Sequence, residues 1–181
     1  MAKNFNTYII LLRGVMPTGK NRVPMAVLRE VLGKAGFENV RTYIASGNAL
    51  VDSKLSAKEI ESKVHELIKK HIGPDLVVVV RTAAELQKAL DGNPFIKGYE
   101  PSRVFYMFFQ TPPSAAAVKE LAAQDFGDEE VEIKKNTGYL YIPGSAARSK
   151  LSNNFLEKKL GVGSTARNLN TVTKLIELTQ Q

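Results

Sequence analysis

The sequence has no cysteine in its 181 residues. That excludes disulfides, thiolate chemistry and Cys-ligated zinc, and it suits a reducing compartment. Apolar runs such as Leu76-Val77-Val78-Val79-Val80 are far too short to span a bilayer. The first residues, Met1-Ala2-Lys3-Asn4-Phe5-Asn6, lack the apolar stretch a signal peptide needs. Together these absences predict a soluble, cytoplasmic protein with no membrane association. Histidine is scarce: His65 and His71 are the only two. Six residues apart on one predicted helix, they point to different faces, and no metal site is predicted. The acidic run Asp128-Glu129-Glu130 with Glu132 lacks the spacing of a calcium loop. Ser46 has no evident histidine partner, so nucleophilic catalysis has no support. Nothing in the residues identifies a cofactor or says whether the chain is an enzyme.

What is present is an ordinary globular composition, 44% hydrophobic, with a net charge of +7 that is unevenly spread. Residues 1–81 carry 13 Lys and Arg against 7 acids, residues 82–143 carry 6 against 9, and residues 144–181 carry 6 against 2. Both ends are basic and the middle is acidic. A basic face attracts phosphates, although a merely soluble surface could carry the same charge.

The organising stretch is Arg41-Thr42-Tyr43-Ile44-Ala45-Ser46-Gly47-Asn48-Ala49-Leu50-Val51. Gly and Asn tolerate the positive φ of a tight turn, and β-branched or aromatic residues flank them, so a hairpin is predicted. Before it, Thr7 to Arg13 is almost continuously apolar, as in a strand covered on both faces. Pro24 suits a first helical position, Met25, Leu28, Val31, Leu32 and Ala35 recur at helical spacing, and Gly36 is a natural stop. After the hairpin, Ser56-Ala57-Lys58-Glu59 is a capping box, with Ile60, Val64, Leu67 and Ile68 as the buried stripe. Gly73-Pro74 ends that helix, and the valine run is the next strand. Strand, helix, strand, strand, helix, strand predicts a ferredoxin-like βαββαβ domain over 1–81, in the α+β class.

Residues 82–181 predict a second, related α+β domain that starts similarly and departs. Thr82-Ala83-Ala84-Glu85 caps a short helix. A strand over 103–110 and a helix over 114–123 come next. A hairpin over 131–142 is turned by Asn136-Thr137-Gly138. Two helices, near 149–160 and 168–179, close the chain on either side of Gly161-Val162-Gly163.

Several segments together resemble an uncharacterised, mainly bacterial family, family 1697 of the domains of unknown function. They are Leu11-Leu12-Arg13-Gly14, Gly19-Lys20-Asn21, Pro24-Met25, Leu28, Gly36-Phe37, Val40-Arg41-Thr42-Tyr43-Ile44, Ser46-Gly47-Asn48, Asn93-Pro94-Phe95 and the run Thr165 to Val172. The resemblance implies an α+β fold with ferredoxin-like parts, and it brings no activity with it. The chain departs from the family at Val15-Met16-Pro17-Thr18, where a second glycine is usual, and at Leu169, where Trp is frequent. A ligand contacted by those positions elsewhere in the family would be held differently here, or not at all.

Gly14-Val15-Met16-Pro17-Thr18-Gly19-Lys20 has the spacing of a phosphate-cradling P-loop. Two features oppose that reading: Asn21 stands where a hydroxyl should ligate magnesium, and Pro24 lacks the N–H that a helix starting at Lys20 would need. An anion site without nucleotide hydrolysis survives. Arg13 ends the first strand, with Lys20 and Arg22 just beyond it. Ser46 and Asn48 sit at the hairpin tip. Arg167, Asn168 and Thr171 come from the start of the last helix, whose N-terminus favours negative charge. Thr165 is the obvious structural cap there. Convergence of these residues on one phosphate or carboxylate is the predicted site.

A ferredoxin-like sheet is shared with RNA-recognition modules. Arg103 to Phe109 faintly echoes their motif but has Val104 where glycine is needed, and aromatics on both faces of a strand usually mean core. Tyr139 and Tyr141 share a face that could stack bases, beside acids that would repel a nucleic-acid backbone. Three functions stay open. One is a binding module for a nucleotide or nucleic acid. Another is an enzyme on a phosphorylated small molecule, clamped by Arg13, Lys20 and Arg167. The third is a protein-interaction module.

Overall fold

The computed structural model describes residues 5–181. It divides into two compact units, Met1–Leu86 with Leu175–Gln181, and Gln87–Lys174.

In the first unit the elements run β1 (Asn6–Leu12), α1 (Met25–Lys34), β2 (Glu38–Tyr43), β3 (Asn48–Ser53), α2 (Ala57–His71) and β4 (Val78–Arg81). The sheet is antiparallel throughout, in the order β2-β3-β1-β4. That is the ferredoxin-like arrangement. The predicted hairpin is β2 and β3, with Tyr43 opposite Asn48. Ile9 to Leu12 of β1 are fully buried, as their unbroken apolar run requires. Tyr8, Ile10, Leu12, Ala49, Val51, Val78 and Val80 face Leu28 and Leu32 of α1 and Ile60, Val64 and Ile68 of α2 in one core. Each such side chain, fully buried, contributes about 1.5–3 kcal/mol relative to exposure.

Local chemistry sets the helix ends. Gly36, at φ +89°, closes α1: its N–H donates to Gly33 O at 3.1 Å, and that of Phe37 donates to Leu32 O at 3.2 Å. The capping box at α2 is complete, with Glu59 N–H on Ser56 Oγ and Ser56 N–H on the Glu59 carboxylate. The start of α1 differs from the prediction by one residue. Pro24 is extended (φ −63°, ψ 124°) and precedes the helix, which has no side-chain cap and no acid in its first turn.

In the second unit α3 (Ala83–Asp91) leads through a 3₁₀ turn at Pro101–Arg103 into β5 (Val104–Phe109). Then come α4 (Ala115–Ala122), β6 (Glu130–Lys134), β7 (Thr137–Tyr141), α5 (Asn153–Leu160), β8 (Ser164–Asn168) and α6 (Leu169–Leu178). The first four residues of α3 and the last four of α6 belong to the first unit. This sheet too is antiparallel, in the order β6-β7-β5-β8. The second half therefore does not depart from the first: it completes the same βαββαβ circuit. The missing piece was β8, which stands between the two closing helices. Thr165 is in that strand, opposite Phe108, and is not a helix cap. The helix expected from residue 149 starts at Asn153, capped by Ser152 Oγ, after a 3₁₀ turn at Ala146–Arg148. The second hairpin turns at Lys135-Asn136, leaving Thr137 and Gly138 in β7. Met107, Phe109, Leu140 and Ile142 pack with Leu121, Leu156 and Leu160 as the core.

Candidate functional site

The loop from Arg13 to Pro24 joins β1 to α1. It folds on itself: Met16 N–H donates to Asn21 O at 3.0 Å and Arg22 N–H to Gly19 O at 3.2 Å. Gly14 and Gly19 take the positive φ these turns require. The helix begins five residues after Lys20, at Met25, and the sheet beside it is antiparallel. The phosphate-wrapping geometry of a P-loop, with Lys at the helix start after a parallel strand, is therefore not formed.

The hairpin tip lies directly against this loop. Leu12 N–H donates to Gly47 O at 2.8 Å. A Cβ on Gly47 would come within 2.7 Å of Val15 Cγ2 and 2.9 Å of Leu12 Cβ, and φ there is +90°. Only glycine lets the two segments approach so closely. Asn48 is fully buried, and its side-chain amide donates to Tyr43 O and Ser46 Oγ, both at 3.1 Å. These bonds fasten the turn. Ser46 itself is exposed, as are Met16 and Ile44, the latter at φ +48°. A β-branched residue in that region is strained.

On the other side of the loop, Lys20 and Arg22 border a shallow hollow of about 400 Å³. Its remaining wall comes from Gly19, Pro24 and Val27, and from His71 to Pro74 at the end of α2. Lys20 and Arg22 are exposed. Among the described residues, neither side chain has a hydrogen-bonding or ionic partner. The uncapped start of α1, with its free N–H groups, opens on the same side. At the end of α2, Ile68 O accepts from Ile72 and Gly73 N–H, so that carbonyl is already engaged. His71 is exposed and stands beside Lys20 on this hollow. Fifty residues separate the two, and the only signal was a basic residue in a helix's last turn.

The remaining predicted residues lie in the second unit. Arg167 is buried in β8, and its guanidinium donates to Thr165 Oγ1 at 2.7 Å and Ala166 O at 2.8 Å. Burial pushes its pKa down to about 10. Asn168 caps α6, its side-chain oxygen accepting from Thr171 N–H at 2.9 Å. The structure thus brings Arg13, Lys20, Arg22, Ser46 and Asn48 to one end of the first unit. It places Arg167, Asn168 and Thr171 together at the junction of β8 and α6.

The tyrosine face of the second sheet is not an open platform. Tyr139 is buried, its hydroxyl donating to Ala89 O at 2.9 Å and its ring edge-on to Tyr106. Desolvation raises its pKa to about 12. Tyr141 packs against Tyr99 and Phe95. Among the described residues, no group of three His, Asp or Glu is arranged to hold a metal ion. No helix among them is long and apolar enough to cross a membrane.

Comparison with curated proteins finds no match. The solved structure of the conserved bacterial protein SP0830 from Streptococcus pneumoniae is similar, with a TM-score of 0.77 and 22% identity. The match covers 98% of this chain and 100% of that one, and at this identity it speaks to the fold alone. A family model described as "Protein of unknown function (DUF1697)" matches residues 5–139. That span takes in the first loop, the hairpin tip and the hollow beside them, and ends before β8. The chain belongs to this family of unknown function.

Proposed function

We propose that the protein binds an anionic ligand, one that carries phosphate or carboxylate, at the first loop of its first unit. Nucleotides and nucleic acid are the first classes to try. The observation that carries this reading is the pairing of Lys20 and Arg22 on one hollow without any acidic partner among the described residues. Exposed cations without partners keep their full attraction for an incoming anion. The free N–H groups of α1 add to that attraction. Arg13 and Ser46, beside the same loop, are the next contacts outward for a larger ligand. The buried Asn48 supports the tip from within.

The test is titration of the full chain with inorganic phosphate, ATP and a short single-stranded oligonucleotide at several salt concentrations. Two phosphate contacts predict that log K falls with log salt at a slope of roughly −1.4 for the single-stranded oligonucleotide. The double variant Lys20→Glu, Arg22→Glu should lose affinity by at least about tenfold, since charge-assisted hydrogen bonds are the strong ones. Its melting temperature should stay close to that of the parent, because both residues are exposed and unpaired. Equal affinity in parent and double variant, or no binding of any anion by the parent, would overturn the reading.

A further inference from the structure

The hollow beside the first loop does not stop at the start of α1. Val27 and His71 also line a second depression, of about 440 Å³, which runs on between α1 and α2. Its inner wall is apolar: Val27, Val31, Ala35 and Leu67. Val27, shared by the two depressions, remains 38% exposed. Glu30 and Lys34 are the charged groups at its margin, and they pair with each other. The Glu30 and Lys34 charges along this trough thus offset each other, and Lys20 and Arg22, without a side-chain partner among the described residues, lie at one end. The other end is bounded. Lys63 reaches from α2 to donate to Ala35 O at 2.7 Å, with its ammonium over the Phe37 ring. From Val27 to Ala35 the helix rises about 12 Å, the length of roughly ten extended methylenes.

We propose that this trough holds the hydrocarbon tail of an amphipathic anion, a medium-chain acyl or alkyl compound whose carboxylate or phosphate head lies against Lys20 and Arg22. The proposal rests on the anion reading above and adds to it the nature of the rest of the ligand. Charge complementarity chooses the orientation: at the far end Lys34 is paired with Glu30 and Lys63 is held by Ala35 O and the Phe37 ring, whereas Lys20 and Arg22 have no side-chain partner among the described residues. Size chooses a small molecule over a protein partner. Each depression falls in the range of roughly 300–1,000 Å³ usual for small-molecule sites. A protein partner would need about 800 Å² of contact on each side. Shape chooses a chain over a nucleobase, since the apolar wall continues past the first turn of α1 to its end.

The experiment is calorimetric titration of the full chain with inorganic phosphate and butyl, hexyl, octyl, decyl and dodecyl phosphate, each below its micelle-forming concentration. Affinity should rise about two- to threefold per methylene, because an open trough removes only part of each group from water. The rise should level off near ten carbons, where Lys63 closes the trough. Val31→Asn should flatten the series and leave inorganic phosphate unaffected, while Lys20→Glu should weaken every member by a similar factor. The chain-length series on the parent protein decides the question even if Val31→Asn folds poorly. Affinity equal from phosphate to dodecyl phosphate would overturn the trough and leave the anion reading standing. A rise that continues without a plateau would overturn it too, as the mark of non-specific partition. Failure of every member, inorganic phosphate included, would overturn both.

Discussion

The two units trace the same circuit, and they differ most where the first strand passes into the first helix. In the first unit that passage takes twelve residues, Arg13 to Pro24, with three cations, and delivers a helix without a cap. In the second it takes five, Gln110-Thr111-Pro112-Pro113-Ser114, with no charge, and Ser114 Oγ caps α4 by accepting from Ala117 N–H at 3.2 Å. The helices that follow the hairpins differ too: α2 has fifteen residues and a full capping box, α5 has eight. One copy of the scaffold is closed off tightly, and the other leaves the Lys20 and Arg22 side chains, among the described residues, and backbone donors uncommitted at a loop. Ligand sites commonly occupy such loops on a rigid frame.

The largest effects should come from the scaffold and be alike in both units. Leu32→Ala in α1 and Leu156→Ala in α5 each empty a fully buried position. Each should cost about 2–5 kcal/mol, read by chemical denaturation. A cost below 1 kcal/mol at either one would break the equivalence of the two cores. The hairpin turns should respond in opposite directions. Gly47→Ala adds a methyl where Val15 and Leu12 leave no room and φ is positive, so a loss of about 2–4 kcal/mol is expected. Lys135, at φ +56° in the other turn, is exposed, and Lys135→Gly should stabilise by about 0.5–1 kcal/mol. Ser114→Ala should cost about 1 kcal/mol through the lost cap, a change with no counterpart at α1.

The smallest effect is one of pH in the first unit. The Asn39 amide above all, then the Thr7 hydroxyl and the Arg41 charge, hold the Asp52 carboxyl below its ordinary value of 3.8, against a burial contribution that raises it. A carboxylate with a depressed folded-state pKa stabilises fully at pH well above its unfolded value and loses that contribution as pH falls through the folded one. Asp52→Asn should therefore flatten the fall in stability between about pH 5 and pH 2, followed by denaturation midpoints. An acid limb as steep as the parent's would show that other carboxylates carry it.

Elements written in local rules were legible from residues alone. The apolar run of β1, the turn at Ser46-Gly47-Asn48, the Ser56/Glu59 box and the Gly36 stop each follow from neighbours within a few positions. What escaped depended on distant contacts. β8 is Ser-Thr-Ala-Arg-Asn, a polar sequence with no apolar alternation, and it is a strand because β5 supplies its ladder. Gly138 looked like a turn residue. It is instead the point in β7 where a side chain would strike Ile133, Met107 and Phe109. At the candidate site, charge flagged Lys20 and Arg22, but only folding sets His71 and Gly73 beside them. Asn48 counted as a ligand contact at the hairpin tip, and its bonds to Tyr43 and Ser46 depend on how the turn folds.

The last stretch of α6 has a consequence for how the molecule is made. Arg41 of β2 donates to Leu178 O at 2.5 Å, and Leu175–Gln181 belong to the first unit although the whole second unit, Gln87–Lys174, lies between them and the rest of it. Because synthesis runs from the N-terminus, the first unit can be completed only after residues 87–174 of the second have been made. Its edge strand β2 waits for the closing helix until then. No single cut of the polypeptide can release that half whole.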